Sequence, residues 1–217
     1  HYNKYKVASE NGIHLVTLFE KQLDDSVWFD KTVPMLRRLV LGHADVTIYA
    51  RETVVRSMNQ PNDKKLVDTF LERYHMDGKT PAKFRYGMFY QNELVAVATF
   101  ATPVSEKYKH DYIELKRLAF KSNIQVRYGI SKFIAHFHDD NPDYKHLMTY
   151  SNNNMGYGHG YQKVGFKFIK ETGAQLTFVN PKDVHDTYSW SIATSWGAKS
   201  GVIANLLGSQ DIDNAQA

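Results

Sequence analysis

Phe84-Arg85-Tyr86-Gly87-Met88-Phe89-Tyr90-Gln91-Asn92-Glu93-Leu94-Val95-Ala96-Val97-Ala98-Thr99-Phe100-Ala101 is the stretch on which the fold turns. Residues 84–90 and 94–101 are rich in aromatic and aliphatic side chains. They flank the short polar turn Gln91-Asn92-Glu93, which predicts an antiparallel hairpin. Downstream, residues 111–120 alternate, with Tyr112, Ile113, Leu115 and Leu118 apolar, and read as a further strand. Residues 129–138 place Ile130, Phe133, Ile134 and Phe137 on one helical face. A strand over 146–151 comes next, then an Asn- and Gly-rich turn, a short helix near 161–164 and a strand starting at Phe166. Upstream, residues 63–74 are amphipathic (Leu66, Val67, Phe70, Leu71) and stop at His75-Met76-Asp77-Gly78. Further back, 12–20 alternates like a strand, 28–41 has helical spacing before Gly42, and 46–50 reads as a strand.

This order predicts an α/β fold, a mixed central sheet flanked by helices, with a small N-terminal strand-helix-strand extension. Three segments are expected: an extension over 1–50, the main domain over 51–182, and a C-terminal extension over 183–217 whose end is small, polar and loosely ordered. A length of 217 residues suffices to bury a real core, and 42% hydrophobic with 23% charged residues is a globular composition. The absence of cysteine excludes disulfides and thiolate zinc sites. No apolar run approaches the roughly 20 residues of a membrane span, and no apolar stretch follows the basic start, so neither membrane nor signal peptide is expected. A cytoplasmic protein is the expectation. The chain opens on His1, which suggests processing or a longer parent. A net charge of +4 is compatible with a polyanion partner and equally with an ordinary enzyme.

A set of ordered motifs goes further. Glu114-Leu115-x-Arg117-Leu118, Ser131-Lys132-Phe133-Ile134, Asn141-Pro142, Thr149-Tyr150-Ser151 and Gly158-x-Gly160-Tyr161-Gln162-x-x-Gly165-Phe166 resemble the Mom family of phage DNA-modification proteins. They also resemble the C-terminal domain of the Hef-like phage homing endonucleases, in which residues 12–20 and 48–51 have counterparts as well. The element order over 52–180 resembles the acetyltransferase-like (GNAT-like) fold. That resemblance implies two neighbouring strands that splay apart to admit a ligand, and a CoA-type donor such as acetyl-CoA, held by backbone N–H groups after the 111–120 strand. The loop there is expected to run from Lys121 to Ser131, with Gln125, Arg127, Gly129 and Ser131 as the donor-binding candidates. Val126 stands where acetyltransferases carry Arg or Gln.

The candidate catalytic residues are His75, Tyr150, Ser151, His159 and Tyr161. His75 and His159 are the base candidates, because an imidazole titrates near neutrality. Tyr150 and Tyr161 are the acid candidates, and Ser151 or Asn152 lies where the family carries an acid. A helix cap for His75 and a plain polar turn for residues 150–161 are the structural alternatives. Glu114 and Arg117, three apart in a strand, are expected on opposite faces. Lys107, Lys109, Lys116, Lys121 and Lys132, interleaved with Tyr108, Tyr112 and Tyr128, suit phosphates and unstacked bases, or form a solvated surface. No spacing suggests a metal site. Two functions compete: a phage-type transferase acting on a nucleobase or another polymer amine, with DNA and a small-molecule donor as partners, and a non-catalytic DNA-binding or assembly module.

Overall fold

The computed structural model describes residues 2–18, 23, 26–153, 156–172, 177–180 and 183–189. It divides into two compact units, residues 7–168 and residues 1–6 with 169–217. In chain order the regular elements are α1 (Tyr2–Glu10), α2 (Ser26–Leu41), β1 (Val46–Tyr49), β2 (Val54–Ser57), α3 (Pro61–Tyr74), β3 (Phe84–Tyr90), β4 (Glu93–Ala101), β5 (Tyr112–Phe120), β6 (Ile124–Arg127), α4 (Gly129–Asp140), β7 (His146–Thr149), α5 (His159–Gln162), β8 (Thr177–Asn180) and β9 (Asp183–Ser189).

The larger unit is built on a five-stranded sheet in the order β2-β3-β4-β5-β7. The hairpin β3–β4 forms where the sequence places it. Its turn residues Gln91 and Asn92 have φ of 48° and 66°, the conformation that a two-residue hairpin turn requires. β2 to β5 pair antiparallel, and β5 pairs β7 in parallel across the crossover helix α4. This is the mixed central sheet with helices on its faces that the element order predicts. One face packs Tyr86, Ala98, Phe100, Ile113 and Leu115 against Phe133 and Phe137 of α4. The other packs Val97 and Ala119 against Val67, Phe70 and Leu71 of α3. These helices take opposite sides because β4 and β5 are apolar on both faces.

Three local expectations are corrected. Residues 13–18, read as a strand, pair with no strand among the described residues; positions 19 and 20 lie outside them. Alternation marks a half-buried extended segment, but a strand also needs a partner ladder. Here α1 ends at Asn11-Gly12, and side chains hold the residues after it: His14 Nε2 lies 2.8 Å from the Asn153 carbonyl, and its ring packs on Tyr157. The N-terminal part is thus helix, extended segment, helix and strand. Residues 166–170 are also not a strand. Close bonds from Val164 N and Phe166 N to the Tyr161 carbonyl curl the chain, and Phe166 packs edge-on to the Tyr161 ring. The stretch 124–127, read as loop, is strand β6. It pairs in parallel with β1, Ile48 opposite Val126 and Tyr49 opposite Arg127. Arg38 of α2 donates to the Ile124 carbonyl at 2.8 Å and ties α2 to this pair.

In the smaller unit, β8 and β9 form an antiparallel hairpin, and Tyr5 donates to Glu171 at 3.0 Å. The expectation of a loosely ordered chain end falls outside the described residues.

Candidate functional site

The parallel ladder between β5 and β7 runs from Tyr112 opposite His146 to Leu115 opposite Thr149 and stops there. β5 continues to Phe120, paired on its other side with β4. The register of β4 and β5 shifts at the same level: Phe100 lies opposite Leu115 and Thr99 opposite Arg117, leaving Lys116 as an extra residue. Such a bulge increases the local twist of its strand, so it falls where β5 leaves β7. Thr149, the last paired residue, donates its hydroxyl to the Leu115 carbonyl at 3.0 Å.

The bulge also corrects the expectation for Glu114 and Arg117. Their β4 partners are Ala101 and Thr99, two residues apart, so both side chains project from the same face, that of α3. An inserted residue reverses the parity that simple counting assumes. Glu114 is buried and bound to Lys116 at 2.9 Å.

Tyr161, from α5, reaches the end of the β5–β7 ladder. Its ring packs on the core; burial pushes the phenol up, and the neighbouring Thr149 side chain partly offsets this. Ser151 is folded back, donating to the Gly156 carbonyl at 2.8 Å. Gly158 has φ of +74° and packs against Ser151; a side chain there would be strained. Tyr150 is largely exposed, its phenol pushed up by partial burial and then by the Glu114 charge. His159 opens α5 on the exposed side. The structure thus brings Tyr161, Thr149 and the Ser151 turn together and leaves His159 on the surface. Thr149 belongs to the Thr149-Tyr150-Ser151 motif but is not among the candidate catalytic residues, although a hydroxyl ending a central strand is the available signal.

His75 caps α3 on the other side of the sheet, its backbone N–H donating to Leu71 and its Nδ1 accepting from the Asp77 N–H at 3.1 Å. Burial, then Arg117, then Lys31, with Asp77 opposing, hold its pKa at about 4 instead of 6.5. At neutral pH it is an uncharged, weak base. The unfolded chain therefore binds a proton near pH 6.5 that the folded chain refuses until about 4. Stability is lost as pH falls through that window, by on the order of 3 kcal/mol if the full shift is realised. Urea unfolding of the His75→Gln variant between pH 7 and 4 should show a flatter acid limb than the native chain; parallel curves would refute the assignment.

On the donor side, Gln125 and Arg127 lie on the outward face of β6, not in a loop, while Val126 is turned into the core at 7% exposure. Tyr128, at φ 65°, turns the chain into α4, whose first N–H groups belong to Gly129, Ile130 and Ser131. A Cβ on Gly129 would meet Phe120 Cε1 at 3.0 Å and Val126 Cβ at 3.1 Å, so this glycine permits close packing of the helix start on β5 and β6.

Over residues 57–215 the chain matches the sequence model of the Mom protein family. The chain belongs to the Mom protein family. Among solved structures, an integron cassette protein of V. cholerae matches at 13% identity and TM-score 0.42, over 57% of this chain and 90% of its own. A GNAT family acetyltransferase of Staphylococcus aureus matches at 12% identity and TM-score 0.39, over 58% and 99% respectively. No curated protein matches the chain.

The five lysines singled out in this Mom-family chain are mostly engaged. Lys109 pairs with Glu106 at 2.9 Å, Lys116 with Glu114, and Lys121 with Glu93. Lys132 donates to the carbonyls of Ala50, at 2.7 Å, and Thr53, and so pins α4 to the turn before β2. Lys107 lies over the Tyr108 ring. Arg51 and Arg127 both approach the exposed Tyr49 ring, at 5.1 and 5.9 Å, a pairing of cation and aromatic invisible in sequence because β1 and β6 are 78 residues apart. Among the described residues, no three His, Asp or Glu side chains are placed to hold a metal ion, and no helix is long and apolar enough to cross a membrane.

Proposed function

We propose that this Mom-family protein is a transferase that moves a group onto an exocyclic amine of a nucleobase, at the break between β5 and β7. The observation that carries the reading is the end of the parallel ladder at Leu115/Thr149, with the Tyr161 hydroxyl beside it. A CoA-type donor, when bound, would supply an acyl carbon activated by a good leaving group. The N–H groups of Gly129, Ile130 and Ser131 suit its phosphates, since unpaired donors at a helix start attract anions. Tyr161, protonated well above neutral pH, is suited to donate a hydrogen bond or a proton to the leaving group. His159 is the remaining base candidate, because the environment of His75 depresses its basicity. A base in duplex DNA would have to be extruded to reach the break.

A second reading, a non-catalytic DNA-binding module, is favoured by one feature: Val126 packs inward where a donor-binding side chain would be sought. Mass spectrometry of the purified protein for a co-purifying CoA-type donor separates the two. It should be followed by nucleoside mass spectrometry of DNA incubated with a panel of acyl-CoAs. Failure of every donor to give a modified nucleoside would leave the module.

A further inference from the structure

The face of the sheet covered by α3 carries a polar row that the transfer reaction does not use. Arg85 of β3, Thr99 of β4 and Arg117 of β5 are direct cross-strand neighbours in one line. All three share the face of Val97 and Ala119, which pack on α3. Thr99 is fully buried and its hydroxyl has no hydrogen-bond partner. The Arg85 Nε–H is likewise buried and unpartnered. Arg117 reaches under the end of α3, giving Nε to the Gly78 carbonyl at 3.1 Å and Nη1 to its neighbour's carbonyl.

Neither guanidinium has a carboxylate within ion-pair distance among the described residues. The buried carboxylate of this face, Glu114, is committed to Lys116. Strands lie about 4.8 Å apart, so the two arginines leave the backbone roughly 10 Å apart with the hydroxyl between them. Two half-buried cations flanking an unsatisfied donor, with no anion to meet them, form a costly arrangement unless a ligand completes it.

The geometry points to an oxyanion site on this face, in which Arg85 and Arg117 clamp a phosphate group and Thr99 donates to one of its oxygens. Arginine forks and a hydroxyl are the donor set that phosphate oxygens take. The site is separate from the helix start of α4 and from the β5–β7 break, and it does not depend on the transfer reaction. Two sources share this chemistry, a diester in a nucleic-acid strand and a free phosphate.

The test is thermal unfolding of the full chain, titrated at constant ionic strength with inorganic phosphate in one arm and the dinucleotide dTpdT in the other. A ligand that binds only the folded state raises Tm progressively with its concentration. Protection by dTpdT alone assigns a diester; protection by inorganic phosphate assigns a free phosphate. Thr99→Val keeps the shape and removes the unpaired hydroxyl, so the free protein should be as stable as the native chain or more so. Its apparent affinity for the protecting anion should nevertheless fall at least fivefold, and Arg85→Gln should abolish the protection. The site is refuted if neither anion protects the native chain beyond chloride, or if Thr99→Val leaves the protection unchanged. Loss of protection in either variant with no effect on nucleoside modification would leave the transferase reading intact.

Discussion

Tyr161→Phe is expected to slow group transfer by about 10²- to 10⁴-fold, the range for loss of a proton-transfer group, while the fold is kept. The ring sits against the core and Phe preserves that packing. The hydroxyl lost is the one at the end of the β5–β7 ladder. The neighbouring Thr149 still gives its proton to the Leu115 carbonyl, so no buried donor is orphaned and stability should change by about 1 kcal/mol or less. The phenol is raised by burial, so it is a donor at neutral pH and not a base. Single-turnover nucleoside mass spectrometry should show a lower rate at saturating donor. A change confined to KM would instead assign Tyr161 to ground-state binding and remove it from the chemistry.

Phe137→Ala should cost about 3–5 kcal/mol, the range for emptying a buried aromatic site. Phe137, on α4, is fully buried and stacks on Phe100 of β4 with centroids 4.1 Å apart. Phe84, Tyr86 and Tyr144 meet it at 5.7, 6.2 and 6.0 Å. It therefore joins the crossover helix to three strand residues and to the loop before β7. Since a domain of this kind is stable by only about 5–15 kcal/mol, the urea midpoint should fall sharply. Phe137→Leu should recover more than half of the loss. An alanine variant that unfolds within about 1 kcal/mol of the native chain would mean that α4 is not the main cover of this face.

The hairpin, β5, β7, α3 and α4 are legible because each carries its own periodicity and local boundary signals: Gln91-Asn92 at the hairpin turn, Gly78 after α3 and Gly129 at the start of α4. The segments misread were those whose state depends on a distant partner. Residues 13–18 alternate but have no ladder, whereas 124–127 were read as loop and become strand because β1 pairs with them. For the site, the sequence points to Tyr161 and the Ser151 turn but assigns no role to Thr149, and it points to lysines whose ammonium groups are engaged by carboxylates and carbonyls.

By itself the sequence determined the element order, the two-sided apolar character of the central strands and the Mom-type motif series, since these follow from local periodicity and residue type. Tertiary structure alone decided where the β5–β7 ladder ends and on which face each charge of β5 lies. The reason is the bulge at Lys116: one inserted residue shifts the register against β4, puts Glu114 and Arg117 on one face, and lines Arg117 up with Thr99 and Arg85. No count along β5 reveals it, because a bulge exists only in the pairing of two strands.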